Sequence, residues 1–193
     1  MLRQIVLLLI SFSCPSQSVP ASHDNHPPPY VDSDAYDVYS AILPSEWPVR
    51  VAHAKMLVIR SETSGYGMCL HPEKASEDMI GPAIAEYVEL NKKPLVLQRN
   101  LRVAIPYDLI TFKDLKSAIN QGGWDGFYKK YPDSGGWIEL SAVGFNAEKT
   151  VAVVYMGHSC GGLCGGGQFH VLQKKEGKWV SLNWKGSSCA WAS

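Results

Sequence analysis

Thr150-Val-Ala-Val-Val-Tyr-Met-Gly-His-Ser-Cys-Gly-Gly-Leu-Cys-Gly-Gly-Gly-Gln-Phe-His-Val-Leu172 is two apolar runs joined by a segment of six glycines, two cysteines, a serine, a histidine and a leucine. Thr150–His158 reads as a strand, and its run of apolar residues through Met156 suits a central position, buried on both faces. Gly167–Gln173 reads as a second strand, and the short connection makes the two antiparallel neighbours. Working outward, Trp137–Phe145 is a strand with Asn146–Lys149 as its turn. Lys174-Lys-Glu-Gly-Lys178 is a hairpin turn in which Gly177 takes positive φ, and Trp179–Trp184 is the strand that follows. These four segments predict an antiparallel β-meander.

Helical spacing dominates before Gly136. Tyr36, Tyr39 and Leu43 recur at that spacing, with Pro44 as the stop. Ser76–Leu90 presents Ile80, Ile84, Tyr87 and Val88 as one stripe, with its start at Ser76 or at Pro82. Thr111-Phe-Lys-Asp114 is a capping-box variant that opens a helix through Ile119, and Gly122-Gly123 stops it. Trp124–Tyr131 is one more short helical segment. Lys55–Arg60 reads as a strand and Leu95–Leu97 as a short edge strand. The predicted fold class is α+β: N-terminal helices packed on a C-terminal four-stranded antiparallel β-meander, one domain over residues 36–193.

The first residues read as an address. Arg3 precedes the apolar run Ile5–Phe12, and the small residues up to Ala21 suit cleavage, so residues 1–21 are expected to be a signal peptide. The run is far shorter than the roughly 20 residues of a membrane-crossing helix. Residues 22–35 hold three consecutive prolines among aspartates and histidines, the composition of a disordered tail. The expected location is secreted or periplasmic. Cys14, at the end of the apolar run, is a candidate lipid anchor that would make the protein a lipoprotein.

The other cysteines are Cys69, Cys160, Cys164 and Cys189, an even set that suits an oxidising compartment. Four cysteines allow three pairings. Export and spacing favour a Cys160–Cys164 disulfide inside the hairpin loop, which leaves Cys69 and Cys189 to pair by elimination.

Eighteen Lys and Arg balance eighteen Asp and Glu, so no net field draws the chain to nucleic acid. Gly157-His-Ser-Cys-Gly161 fits G-x-S-x-G and resembles the nucleophile elbow of the α/β-hydrolases, which implies Ser159 as nucleophile. That elbow needs a helix after it and an acid, then a histidine, downstream. Here Gly165-Gly-Gly167 opposes a helix by about 1 kcal/mol per residue, and His170 precedes the only later acid, Glu176. Asp133-Ser-Gly-Gly136 resembles the serine motif of trypsin-like proteases, with His53 and Asp108 before it. Pro132, however, stands where that oxyanion hole needs a backbone N–H, so the segment reads as a turn.

Cys160 and Cys164, with His158 and His170, form a candidate zinc set of two sulfurs and two nitrogens. Read as a redox dithiol, the same cysteines have three intervening residues where the redox motif has two. No cofactor is expected. The tryptophans read as core and strand residues.

Ser141-Ala-Val-Gly-Phe-Asn146, Cys160-Gly-Gly-Leu-Cys-Gly-Gly-Gly167 and Lys175-Glu-Gly-Lys-Trp179 together resemble a set of uncharacterised exported bacterial proteins. The likeness spans Trp124 to Trp184. It implies a domain of this shape in an envelope setting and carries over no catalytic residue.

The expected function is a non-enzymatic exported domain that binds another envelope component through a rigid hairpin loop. The alternatives are a serine hydrolase using Ser159 with His170, and a zinc or thiol-redox site at Cys160 and Cys164.

Overall fold

β1 (Met56–Arg60) lies between β2 (Tyr107–Ile110) and β3 (Ser134–Leu140) and is parallel to both. The computed structural model describes residues 26–50, 54–65, 79–184 and 190–193, with the backbone alone over 44–50. β3 pairs antiparallel with β5 (Val151–Gly161), β5 with β6 (Cys164–Lys175), and β6 with β7 (Lys178–Ser181). The sheet order is β2-β1-β3-β5-β6-β7, with β4 (Gly144–Phe145) beside β5 and β8 (Ala190–Ala192) beside β6.

This eight-stranded mixed sheet corrects the expected α+β fold with its four-stranded antiparallel meander. Adjacent parallel strands need a long crossover, so nothing local announces their pairing. Here α3 (Phe112–Asn120) and α4 (Gly123–Lys130) carry the chain from β2 over to β3, on the far side of β1. Tyr107–Ile110 has four residues with Asp108 among them, too short to show a period.

Helices cover both faces of the sheet. On one face, α1 (Ser33–Arg50) packs Tyr36, Tyr39, Ile42 and Leu43 against Leu57, Ile59, Ile138, Leu140, Ala152 and Val154. On the other, α2 (Ile80–Leu90) packs Ile80, Ala83, Ile84 and Tyr87 against Val151, Val153, Tyr155, Phe169 and Val171. Beside it, Leu115 and Ala118 of α3 and Phe127 of α4 cover Val58 and Ile110. Val151–Met156 thus sends alternate residues into two different cores, which is why the run is apolar throughout.

Several boundaries differ from expectation. α1 runs through Pro44 to Arg50, because the φ that proline imposes is itself helical; Pro44 removes one main-chain donor without ending the helix. Trp137–Phe145 is broken into β3 and β4. At the break the Ser141 hydroxyl accepts from Tyr155 N–H, Ala142 N–H donates to the Asn91 side chain, and Gly144 runs against α2. A Cβ on Gly144 would lie 2.2 Å from the Ala83 carbonyl oxygen. β7 ends at Ser181, short of Trp184, and β8 adds a strand beyond the expected four. Leu95–Leu97 forms no strand, only bridges at Val96 to Pro29 and Glu62. Within the stretch read as a tail, Tyr30 is 6% exposed, and its hydroxyl accepts from Val143 N–H.

The Thr111 cap and the Gly177 turn are as expected, whereas α2 begins at Ile80 without a side-chain cap. Thr111 accepts from Asp114 N–H at the start of α3, and Glu176-Gly177 turns the β6–β7 hairpin with both φ values positive. Ser76–Asp78, Cys14, Cys69, Cys189 and residues 1–21 lie outside the described residues.

Candidate functional site: the cysteine–glycine hairpin

β5 and β6 stay in register from Val151 opposite Gln173 to Gly161 opposite Cys164, with one irregularity after Ser159. The turn between them is only Gly162-Leu163. The expected glycine loop is therefore mostly strand. A disulfide joins Cys160 to Cys164 across the tip, Cα–Cα 5.0 Å. From the side, the Tyr128 hydroxyl of α4 donates to the Cys160 carbonyl at 2.9 Å. Leu163 projects beyond the bridge, 90% exposed.

Glycines along β6 make room for two aromatic side chains. A Cβ on Gly167 would lie 2.1 Å from the Tyr155 hydroxyl and 2.7 Å from Trp191 Nε1. On Gly165 it would meet Trp191 Cη2 at 3.4 Å. Trp191, opposite Gly167 in β8, donates its indole N–H to Tyr155 Oη at 2.7 Å. On the β3 side, Gly136 has φ +96°, and a Cβ there would lie 2.0 Å from the Ser159 carbonyl oxygen. Of the Asp133-Ser-Gly-Gly136 segment, expected as a turn, only Asp133 lies in the turn; Ser134-Gly-Gly136 opens β3 and makes its close approach to β5, with the Ser134 hydroxyl donating to Tyr131 C=O at 2.8 Å.

Strand alternation separates the catalytic candidates. Ser159 is in register with Trp137, which stacks on Trp124 of α4 at 4.6 Å, so it lies on the α4 face. His170 is in register with Val154 and lies on the α1 face. From Gly165, opposite Ser159, to His170 is five residues, roughly 17 Å of strand. Ser159 and His170 are thus on opposite faces and not brought together. Nor does a helix follow Ser159, which sits inside β5 with β6 next.

The candidate metal ligands are not gathered either. His158 shares a face with His170, but from Gly166, opposite His158, to His170 is four residues, about 13 Å. Cys160 and Cys164 are bonded to each other, leaving no thiolate for a metal. Among the described residues no group of three or more His, Cys, Asp or Glu side chains could hold a metal ion.

The chain matches no family model, no curated protein and no solved structure.

Beyond these residues the hairpin region depends on Tyr128 and Trp191, which sequence reasoning did not single out. The signal available for Trp191 was the alternation Tyr155, Gly157 on one strand and Gly165, Gly167 on the other. Bare positions recurring every second residue mark one face of a strand pair that something else must fill.

Proposed function

We propose that the protein is an exported binding domain that docks on another component of the cell envelope through the tip of the β5–β6 hairpin. The observation that carries this reading is Leu163, 90% exposed on a two-residue turn between disulfide-bonded cysteines. An exposed leucine has about 1.5–3 kcal/mol to gain from full burial. A tip held by a covalent bridge loses little conformational freedom when it docks, so more of that gain appears as affinity. No charged residue lies between Thr150 and Gln173, which fits an apolar acceptor pocket better than a charged one. The disulfide belongs to an oxidising compartment and supports the export suggested by residues 1–21. Among the described residues, no helix is long and apolar enough to cross a membrane. Lipid attachment at Cys14 is a second, compatible means of holding the domain at the envelope.

The test is photocrosslinking in cells from a reactive side chain at position 163, followed by competition with purified variants. Wild-type protein should compete for the crosslinked partner, Leu163→Asp should not, and the Cys160→Ala/Cys164→Ala variant should compete poorly. Equal competition by all three would end this reading.

A further inference from the structure

The bridge at the hairpin tip lies where a thiol can reach it. Cys164 is exposed and Cys160 half-buried, so Cys164 is the more open of the two to attack. The strands beneath the bridge are held by other contacts. Gly157, His158 and Ser159 are in register with Gly167, Gly166 and Gly165. Gly165 in turn exchanges main-chain hydrogen bonds with Ser193, at 3.1 and 3.4 Å. A ring of about five residues adds little constraint to the unfolded chain, so opening it spares the fold.

Those contacts also keep the two sulfurs together once the bond is broken. The cysteine Cα atoms are 5.0 Å apart, and Tyr128 holds the Cys160 carbonyl at 2.9 Å. Cys160 Sγ lies 3.1 Å from the Cys164 carbonyl oxygen, an acceptor for the proton of a Cys160 thiol. This proximity selects the reductant. A monothiol that attacks Cys164 Sγ leaves Cys160 beside the mixed disulfide, where Cys160 re-attacks at high effective concentration and expels it. A dithiol competes, because its own second thiol acts within the same complex. The cysteines close a β-turn, without the helix N-terminus that activates a catalytic dithiol, so the bridge is a substrate of exchange and not its catalyst.

We propose that the Cys160–Cys164 bridge is a reversible thiol–disulfide exchange site whose co-reactant is a dithiol oxidoreductase. The attacking thiolate bonds to Cys164 Sγ. The electron pair of the broken S–S bond goes to Cys160 Sγ, which takes a proton. The second thiolate of the reductant then attacks the reductant's own sulfur in the mixed disulfide and releases Cys164, which takes a proton in turn. The bridge gains two electrons and two protons, and the dithiol is oxidised to a disulfide. This chemistry does not require the docking proposed for Leu163.

The probe is thioredoxin, with glutathione as the monothiol comparator, applied to the folded full chain. Alkylation and peptide mapping read Cys160 and Cys164 apart from Cys69 and Cys189. A thioredoxin whose second active-site cysteine is replaced by serine should be trapped as a mixed disulfide on Cys164. Intact thioredoxin should open the bridge while the amides of Val151–Tyr155 keep their protection from hydrogen exchange. Glutathione at the same thiol concentration should leave the bridge closed. The absence of a trapped complex would overturn the proposal, as would trapping on Cys160 or equal opening by glutathione. Opening that occurs only with loss of protection along Val151–Tyr155 would overturn it too. Competition by Leu163→Asp bears on none of these results, so the docking reading and this one fail separately.

Discussion

Trp191 Nε1 and Tyr155 Oη are hydrogen-bonded at 2.7 Å over a position in β6 where residue 167 has no side chain. The bond ties β8 to the second core, because the Tyr155 ring packs on Phe169 at 5.3 Å. Gly167→Ala should therefore destabilise the protein by about 1–3 kcal/mol, the usual range for overpacking a filled site. Gly162→Ala meets nothing within 4 Å and should stay within about 0.5 kcal/mol of wild type. Urea denaturation of the two variants gives the comparison.

Removing the Cys160–Cys164 bridge should be felt locally. A loop of about five residues contributes at most about 2 kcal/mol in the chain-entropy model. In the Cys160→Ala/Cys164→Ala variant, hydrogen exchange should therefore quicken most at Ser159–Gly165, while Val151–Tyr155 keeps its protection. Uniform loss of protection along β5 would show that the bridge supports the whole sheet.

Asp34, in the first turn of α1, accepts from Lys174 Nζ at 3.1 Å and Lys149 Nζ at 3.2 Å. The hydrogen bond from Lys174 holds its carboxyl below the ordinary value of 3.8, with Lys149 adding to the effect. A depressed folded-state pKa stabilises the fold above the unfolded value and is lost as pH falls through the folded one. Asp34→Asn should accordingly lower stability at neutral pH and converge on wild type in acid. Denaturation midpoints at neutral pH and below the folded-state pKa would check the convergence.

Tyr30, Tyr36 and Tyr39 cluster beneath the sheet with ring centroids 5.8–6.4 Å apart. Burial pushes all three hydroxyls above their ordinary value of 10.0. The fold thus holds protons that the unfolded chain releases, and its stability falls as pH rises above the unfolded value of 10.0. Phenolate absorbance should show these tyrosines ionising in one step with unfolding. Tyr39→Phe also leaves the Ser141 carbonyl without the 2.6 Å hydrogen bond it accepts, at a cost of about 1–3 kcal/mol. Gradual ionisation of all the tyrosines before unfolding would contradict this arrangement.

Local chemistry was legible in the residues themselves. The Thr111 cap, the Glu176-Gly177 turn, the β5–β6 hairpin and the Cys160–Cys164 pair each depend on groups a few positions apart, so spacing and residue type determine them. Tertiary structure alone decided which strands lie beside β1, since parallel pairing is made through crossovers that leave no short-range mark. It also decided the face of each side chain. Gly-x-Ser-x-Gly names a serine and His170 follows soon after, but alternation along β5 and β6 turns Ser159 and His170 to opposite sides of the sheet. Gly157, Gly167 and Gly165, the last of them expected in a loop, are strand positions left bare because Tyr155 and Trp191 occupy the space. Composition cannot reveal that occupancy, because the filling side chains come from beyond the glycine run and meet it only when the sheet closes.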